Sequence, residues 1–229
     1  MTAIYGHRGA SLHLPEMSFV AYFEAVEQGA DGFECDLRLS KDGYLVLWHD
    51  HDMQRMAGSP IKIAESTLSE IHDAFPAMIF EELLSIAIDE KKNLALETKH
   101  PVPTRGAVEK KLFEVLAANA EVIKESGIEI SIMSFSWLAV QRAKRAGHKA
   151  VYLIEHKWQR LLCFVDAVGP SVEILKRDKS FAKKVKASGK RLFVWTVNTE
   201  DDAKALIGSG ADVVMSDAPG ALREYLAQY

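Results

Sequence analysis

GFECDLRLSKDGYLVLWHD, residues 32 to 50, decides how this chain folds. Glu34 and Asp36 stand two residues apart in a β-like run, so both carboxylates project from one face of a strand. Cys35, between them, points the other way. Asp42-Gly43 follows, the strongest short signal for a hairpin turn. A two-residue turn there pairs Lys41 with Tyr44, Leu39 with Val46 and Asp36 with His49. The returning LVLWHD then carries an imidazole to the level of the two acids. Two carboxylates and a histidine on one wall suit a metal and acid/base site. The plainer reading is a surface hairpin with scattered charge.

Working outward, Ala3-Ile4-Tyr5 is a short apolar strand, and Gly6-His7-Arg8-Gly9 places His7 and Arg8 at its C-terminal end. Pro15-Glu16 opens a helix through Val26, closed by Gly29. After the hairpin, the region of about 51–79 carries Gly58, Pro60, Pro76 and a capping box at Thr67 and Glu70. It reads as an insertion with one short helix. NLALET, residues 93 to 98, is a strand whose end sets Glu97 and Lys99 on one face. Further strands are expected over 129–135, 150–155, 166–169, 191–197 and 212–215. Helices are expected over 106–124, 137–145, 159–164, 178–187 and 200–207. Nine strands result, and all but the hairpin pair are separated by a helix or a long connection. The returning hairpin strand is antiparallel and drops out. Eight parallel strands remain, the count of an α/β (β/α)8 TIM barrel formed as a single domain. An open doubly wound sheet is the alternative, but the chain has no GxGxxG fingerprint.

At 229 residues and 48% apolar composition the chain is long and apolar enough for one substantial core. Its net charge of -4 gives no reason to expect nucleic acid or an anionic membrane as a partner. Two cysteines, Cys35 and Cys163, have no metal spacing, which is the thiol usage of an intracellular protein. With no leader-like segment and no apolar run of membrane-spanning length, the expectation is a cytoplasmic protein without integral membrane contact.

In a TIM barrel the C-terminal strand ends converge on one mouth. Those ends supply His7, Arg8, Glu34, Asp36, Glu97 and Lys99, with Ser134, Trp195 and Asn198 further round and His49 from the hairpin. So many charges meeting in one mouth would be costly without a purpose. Glu34, Asp36 and Glu97 are hard oxygen ligands suited to one divalent cation, Mg²⁺ or Ca²⁺. Arg8 and Lys99 suit a phosphate anion. His7 and His49 suit a general acid and a general base near neutral pH. Together these describe phosphodiester cleavage.

The same residues carry a family likeness. GHRG (6–9), PE (15–16), GADGFECDLRLSKDG (29–43), HD (49–50), LETK (96–99), SF (134–135) and VWTVN (194–198) follow in order across most of the chain. In this pattern the chain resembles the glycerophosphodiester phosphodiesterases and, more distantly, the phosphoinositide-specific phospholipase C barrels. It departs from the family's PENT, reading Pro15-Glu16-Met17-Ser18, where Ser18 can still cap a helix. The resemblance implies metal ligation by Glu34, Asp36 and Glu97, and His7 and His49 as the acid/base pair. It implies phosphate binding by Arg8 and Lys99 and a supporting or substrate-binding role for Glu16; Trp195 is a candidate substrate wall. The implied reaction releases sn-glycerol 3-phosphate and an alcohol from a small-molecule glycerophosphodiester. By analogy with the phospholipase C barrels, a cyclic phosphate forms first and water opens it. The competing readings are a lyso- or sphingophospholipid head-group phosphodiesterase and a catalytically silent binding module.

Overall fold

In a computed structural model the chain is described over residues 2–228. The strands in chain order are β1 (Ala3–His7), β2 (Gly32–Leu39), β3 (Leu45–Leu47), β4 (Asp52–Met53), β5 (Ser59–Lys62), β6 (Asn93–Thr98), β7 (Ile130–Ser134), β8 (Lys149–Ile154), β9 (Ala167–Pro170), β10 (Arg191–Val194) and β11 (Val213–Ser216). β1, β2 and β6 to β11 pair in parallel, and β1 bonds both β2 and β11. The sheet therefore closes into an eight-stranded barrel, the (β/α)8 fold that the strand count predicts.

β2 shows how the sequence sets the layers. Phe33, Cys35 and Leu37 are fully buried in the core between strands and helices. Glu34 and Asp36 alternate with them and face the barrel axis. A one-residue slip would exchange these sets, so burial of Phe33 and Leu37 fixes where the acids point. Below the mouth the axis is filled by Tyr5, Met133, Val151, Phe193, Val213 and their neighbours.

The hairpin departs from the expected register. Leu37 pairs with Leu47, Arg38 with Val46 and Leu39 with Leu45. Three residues, Lys41 to Gly43, form the loop in place of two. Ser40 Oγ accepts from the Tyr44 N–H at 2.9 Å and donates to Asp42 at 2.7 Å, while Gly43 closes the turn at φ +91°. The Asp42 carboxylate is turned outward to accept the Leu68 N–H. Trp48 therefore sits opposite Asp36, with its N–H 3.0 Å from the Asp36 carbonyl. His49 lies beyond β3, and its carbonyl accepts two hydrogen bonds from Arg38, at 2.7 and 3.0 Å.

Other boundaries shift for local reasons. The first helix runs Phe19–Glu27, capped by Ser18, because Met17 at φ +53° cannot continue a helix from Pro15. The long helix expected over 106–124 breaks at Asn119 into Ala107–Ala118 and Ala120–Ser126. The strand expected over 191–197 stops at Val194. A helix over Val172–Arg177, not expected, precedes Phe181–Ala187. In place of a fifth α-helix the chain has a 3-10 turn, Lys157–Leu162. The insertion is more ordered than its Gly and Pro content suggests. The β4–β5 hairpin, the turn Gln54–Ala57 and the helix Leu68–Ala74 close over Trp48, Met53, Ile63 and Ile71.

Candidate active site

His7 ends β1, and the chain then turns sharply. Arg8 takes φ +59° and Gly9 φ +86°; a Cβ on Gly9 would lie 2.7 Å from the Ala21 carbonyl. Left-handed Arg8 costs roughly 1–3 kcal/mol in strain. It is held by its N–H, 3.1 Å from both the Glu34 carbonyl and Glu34 Oε2, and by side-chain pairs to Asp36 (2.9 Å) and Glu16 (3.1 Å).

Glu34, Asp36 and Glu97 offer oxygens that lie within 4.8 Å of one another, and all three are buried. Lys99 Nζ stands 2.8 Å from Glu97 and 3.2 Å from Asp36. Neither Asp36 oxygen nor Arg8 Nε completes a well-angled hydrogen bond despite these ion-pair distances. Burial, then the neighbouring Asp36 charge, pushes Glu34 up to about 7 and Glu97 up to about 8. Burial also opposes ionisation of Asp36, but Arg8 and Lys99 outweigh it and hold the carboxyl at about 2.

Each histidine has its Nδ1 on a carboxylate. His7 Nδ1 meets Asp217 Oδ1 at 2.6 Å, leaving Nε2 3.8 Å from Glu34. Asp217 also accepts from Ser11 Oγ (3.2 Å) and Asn198 Nδ2 (2.6 Å). His49 Nδ1 meets Asp50 at 2.8 Å, and Asp50 accepts from Arg55 Nε at 2.6 Å. Arg55 reaches on to both Glu16 oxygens, at 2.5 and 3.1 Å. Burial disfavours both imidazolium forms. At His7 the Glu34 and Asp217 carboxylates override it and raise the pKa; at His49 burial, helped by Arg8 and Lys99, keeps it lowered.

A mouth cavity of about 210 Å³ is lined by His7, Arg8, Glu34, His49, Glu97 and Lys99. Asp36 lies beneath them. Trp195 lines the wall with its indole N–H committed to the Gly169 carbonyl at 2.8 Å and its ring edge-on to Phe135. Glu16 stands behind Arg8, outside the lining. Ser134 and Asn198 tie loops, the first to the Thr98 carbonyl at 2.7 Å, the second to Asp217. Asp217 and Arg55 were not singled out in the sequence. Asp217 follows β11 directly, so the strand-end logic that exposes Glu97 would have found it. Arg55 comes from the irregular insertion, where no periodicity points to it.

A parallel barrel whose mouth gathers three desolvated carboxylates, two carboxylate-held histidines and two cations is the frame of a hydrolase acting on phosphate esters. Comparison with known proteins narrows this. The profile of the glycerophosphoryl diester phosphodiesterase family matches residues 7–221. A probable glycerophosphodiester phosphodiesterase 1 from Mycobacterium tuberculosis is 30% identical, across 97% of this chain and 92% of that protein. Glycerophosphodiester phosphodiesterase from Caldanaerobacter subterraneus is 27% identical, across 96% of both. The fold matches an Oleispira antarctica phosphodiesterase solved with its product sn-glycerol-3-phosphate, with a TM-score of 0.79, 23% identity and coverage of 99% and 97%. The chain belongs to the glycerophosphoryl diester phosphodiesterase family and is an enzyme of that phosphodiesterase class.

Proposed function

We propose that this enzyme hydrolyses glycerophosphodiesters to sn-glycerol 3-phosphate and an alcohol, within one barrel domain that carries the insertion at about 51–79. The observation behind this reading is the joint placement of the three carboxylates, Arg8, Lys99 and both histidines around one cavity. Glu34, Asp36 and Glu97 fit a divalent cation. They are oxygen donors only, they are desolvated, and Asp36 lacks full hydrogen bonding. Such a set accepts Mg²⁺ or Ca²⁺. When bound, the cation supplies Lewis-acid charge to the reacting phosphate oxygens.

Arg8 and Lys99 receive the phosphate, their positive charge locked in by the acids beneath. Trp195 and Phe135 wall the cavity and exclude water from one side. His49, whose pKa burial lowers, takes the proton of the attacking hydroxyl. His7, whose pKa the Glu34 and Asp217 carboxylates raise against burial, gives a proton from Nε2 to the leaving alkoxide. Attack by the glycerol 2-hydroxyl makes a cyclic phosphate; the histidines then exchange roles as water opens it. Asp217 and Asp50 fix the two rings, and Arg55 with Glu16 steadies Asp50 and Arg8.

The test is release of sn-glycerol 3-phosphate from glycerophosphocholine and glycerophosphoethanolamine, with Mg²⁺, Ca²⁺ or EDTA and beside His7→Ala. Loss of release with EDTA and with the variant is expected. Folded protein that releases none with either metal refutes the reading. The exposed Trp158, Leu161 and Leu162 after β8 favour one second reading, cleavage of a lyso- or sphingophospholipid head group. Lysophosphatidylcholine as substrate separates the two.

A further inference from the structure

The barrel's fifth crossover is the 3-10 turn Lys157–Leu162, too short to bury its own apolar side chains. Trp158, Leu161 and Leu162 are 57%, 72% and 50% exposed. Trp137, Leu138 and Phe164 extend the patch. The Trp137 ring meets Phe164 edge-on at 4.9 Å, and its indole N–H donates to the Leu162 carbonyl at 3.2 Å. Trp137, Leu162 and Phe164 thus form one cluster, and Trp158 and Leu161, from the same connection as Leu162, line a groove with Phe181, more apolar exposure than singly scattered side chains make.

Cations interleave with it. Lys157, Arg160 and Lys184 share a groove with Trp158 and Leu161, and Lys144 Nζ lies 5.9 Å from the centre of the Phe164 ring. The acids facing this region are Asp178, near Lys157 and Lys184, and Glu155 at its upper edge. Lys149, Lys176 and Lys186 are paired with Glu129, Asp202 and Asp212, so the local excess comes from Lys144, Lys157, Arg160 and Lys184 against Asp178 and Glu155. The overall charge of -4, which speaks against an anionic membrane, conceals this basic flank. Glu155 lines both the catalytic cavity and the groove beside Trp158, so this flank adjoins the mouth.

We propose that this flank docks on an anionic lipid surface, with Trp158, Leu161 and Leu162 entering the interface and Lys157, Arg160, Lys144 and Lys184 facing the head groups. Tryptophan, leucine and basic residues on one face are what such an interface selects. A symmetric pairing of two copies through this flank is disfavoured, because two basic flanks would repel. Single-stranded nucleic acid is disfavoured because the most exposed positions are aliphatic, not stacking platforms. Docking deepens the proposed reaction by setting the mouth beside lipid-borne phosphodiesters, yet it can be read without any substrate.

The experiment is vesicle co-sedimentation of the full chain with phosphatidylglycerol/phosphatidylcholine mixtures and with phosphatidylcholine alone, at low and high salt. Binding is expected to be at least about tenfold stronger on the anionic vesicles and to weaken with salt. Trp158→Ser with Leu161→Ser should reduce it by about tenfold or more, since each buried side chain is worth roughly that factor. Release of sn-glycerol 3-phosphate from soluble glycerophosphocholine should be unchanged in that variant. No sedimentation of folded protein overturns the proposal. So does vesicle binding that survives the double variant, or a dimer by light scattering that the variant dissolves. If vesicles bind and no substrate is cleaved, only the catalytic reading fails.

Discussion

Asp217→Asn tests whether a carboxylate outside the three-acid cluster controls the chemistry of His7. Asn198 is fixed as a donor toward position 217, because its Oδ1 accepts the Asp217 N–H at 2.9 Å and the Ser216 hydroxyl at 3.3 Å. An asparagine at 217 thus has two poor choices. With its oxygen toward Asn198, its amide faces His7 Nδ1 and forces the neutral tautomer protonated at Nε2. Turned over, it accepts from His7 but sets its NH2 against that of Asn198. Either way the imidazolium loses its counter-charge. General acid catalysis is worth about 10²–10⁴ in rate, and His49 and the cations remain, so kcat should fall by about 10²–10³, or roughly 3–4 kcal/mol. Asp217 raises the His7 pKa, and an acid loses activity as pH climbs through its pKa. The alkaline limb of the pH–rate profile should therefore move to lower pH in the variant. The side chain is only partly buried, so melting should change little, by about 1 kcal/mol. Steady-state turnover of glycerophosphocholine across pH, with circular dichroism as the folding control, decides it. A folded variant within about threefold of the parent rate, with an unmoved alkaline limb, would refute the positioning role.

Further outcomes follow from the same geometry. Burial holds Glu34 at about 7 and Glu97 at about 8, so the metal-free fold keeps protons that the unfolded chain has released. Its stability should fall as pH rises from about 5 to 8, and Mg²⁺ or Ca²⁺ should raise the melting temperature more near pH 8 than near pH 6; equal shifts would count against the cluster as the cation's seat. Arg55→Ala removes the link between Asp50 and Glu16, both otherwise in place, and should lower kcat by about tenfold while costing under about 1 kcal/mol, because Arg55 is half exposed. Glu109→Ala, away from the cavity, strips a fully buried carboxylate from His100 (2.5 Å), Arg142 (3.7 Å) and Thr98, and denaturant melts should show a loss of about 3 kcal/mol. His49→Ala should reduce turnover about 10²–10⁴-fold in the same assay, with the melting temperature nearly unchanged.

What the sequence made legible, and what it did not, follows from the range of the forces involved. The barrel and its three acids could be read because period-two burial is local: Phe33, Cys35 and Leu37 going outward leave Glu34 and Asp36 nowhere to face but the axis. The hairpin register departs from the local expectation because Asp42 accepts from Leu68, a partner 26 residues away that opens the helix of the insertion. That tertiary bond converts a two-residue turn into a three-residue loop and shifts His49 past the strand. The supports of the histidines were hidden for the same reason. Asp217 lies 210 residues from His7, and Arg55 39 from Glu16, so closure of the barrel and folding of the insertion create both contacts.

This division has a functional consequence. The three acids are placed by strand register, which the outer core enforces rigidly. His49 is placed by the Arg38 bonds to its carbonyl and by Asp50, which Arg55 holds from an element with its own small core around Trp48 and Ile71. On the proposed reading, the cation seat and the phosphate clamp would be built into the barrel, while the ring of one proton-transfer group, His49, would be steadied from the insertion through Arg55 and Asp50. Changes that loosen the insertion without touching the barrel should therefore spare cation binding and lower turnover. The Arg55→Ala variant separates the two directly: cation-induced stabilisation intact with kcat reduced supports this assembly, and loss of both together would mean that the insertion also shapes the cation seat.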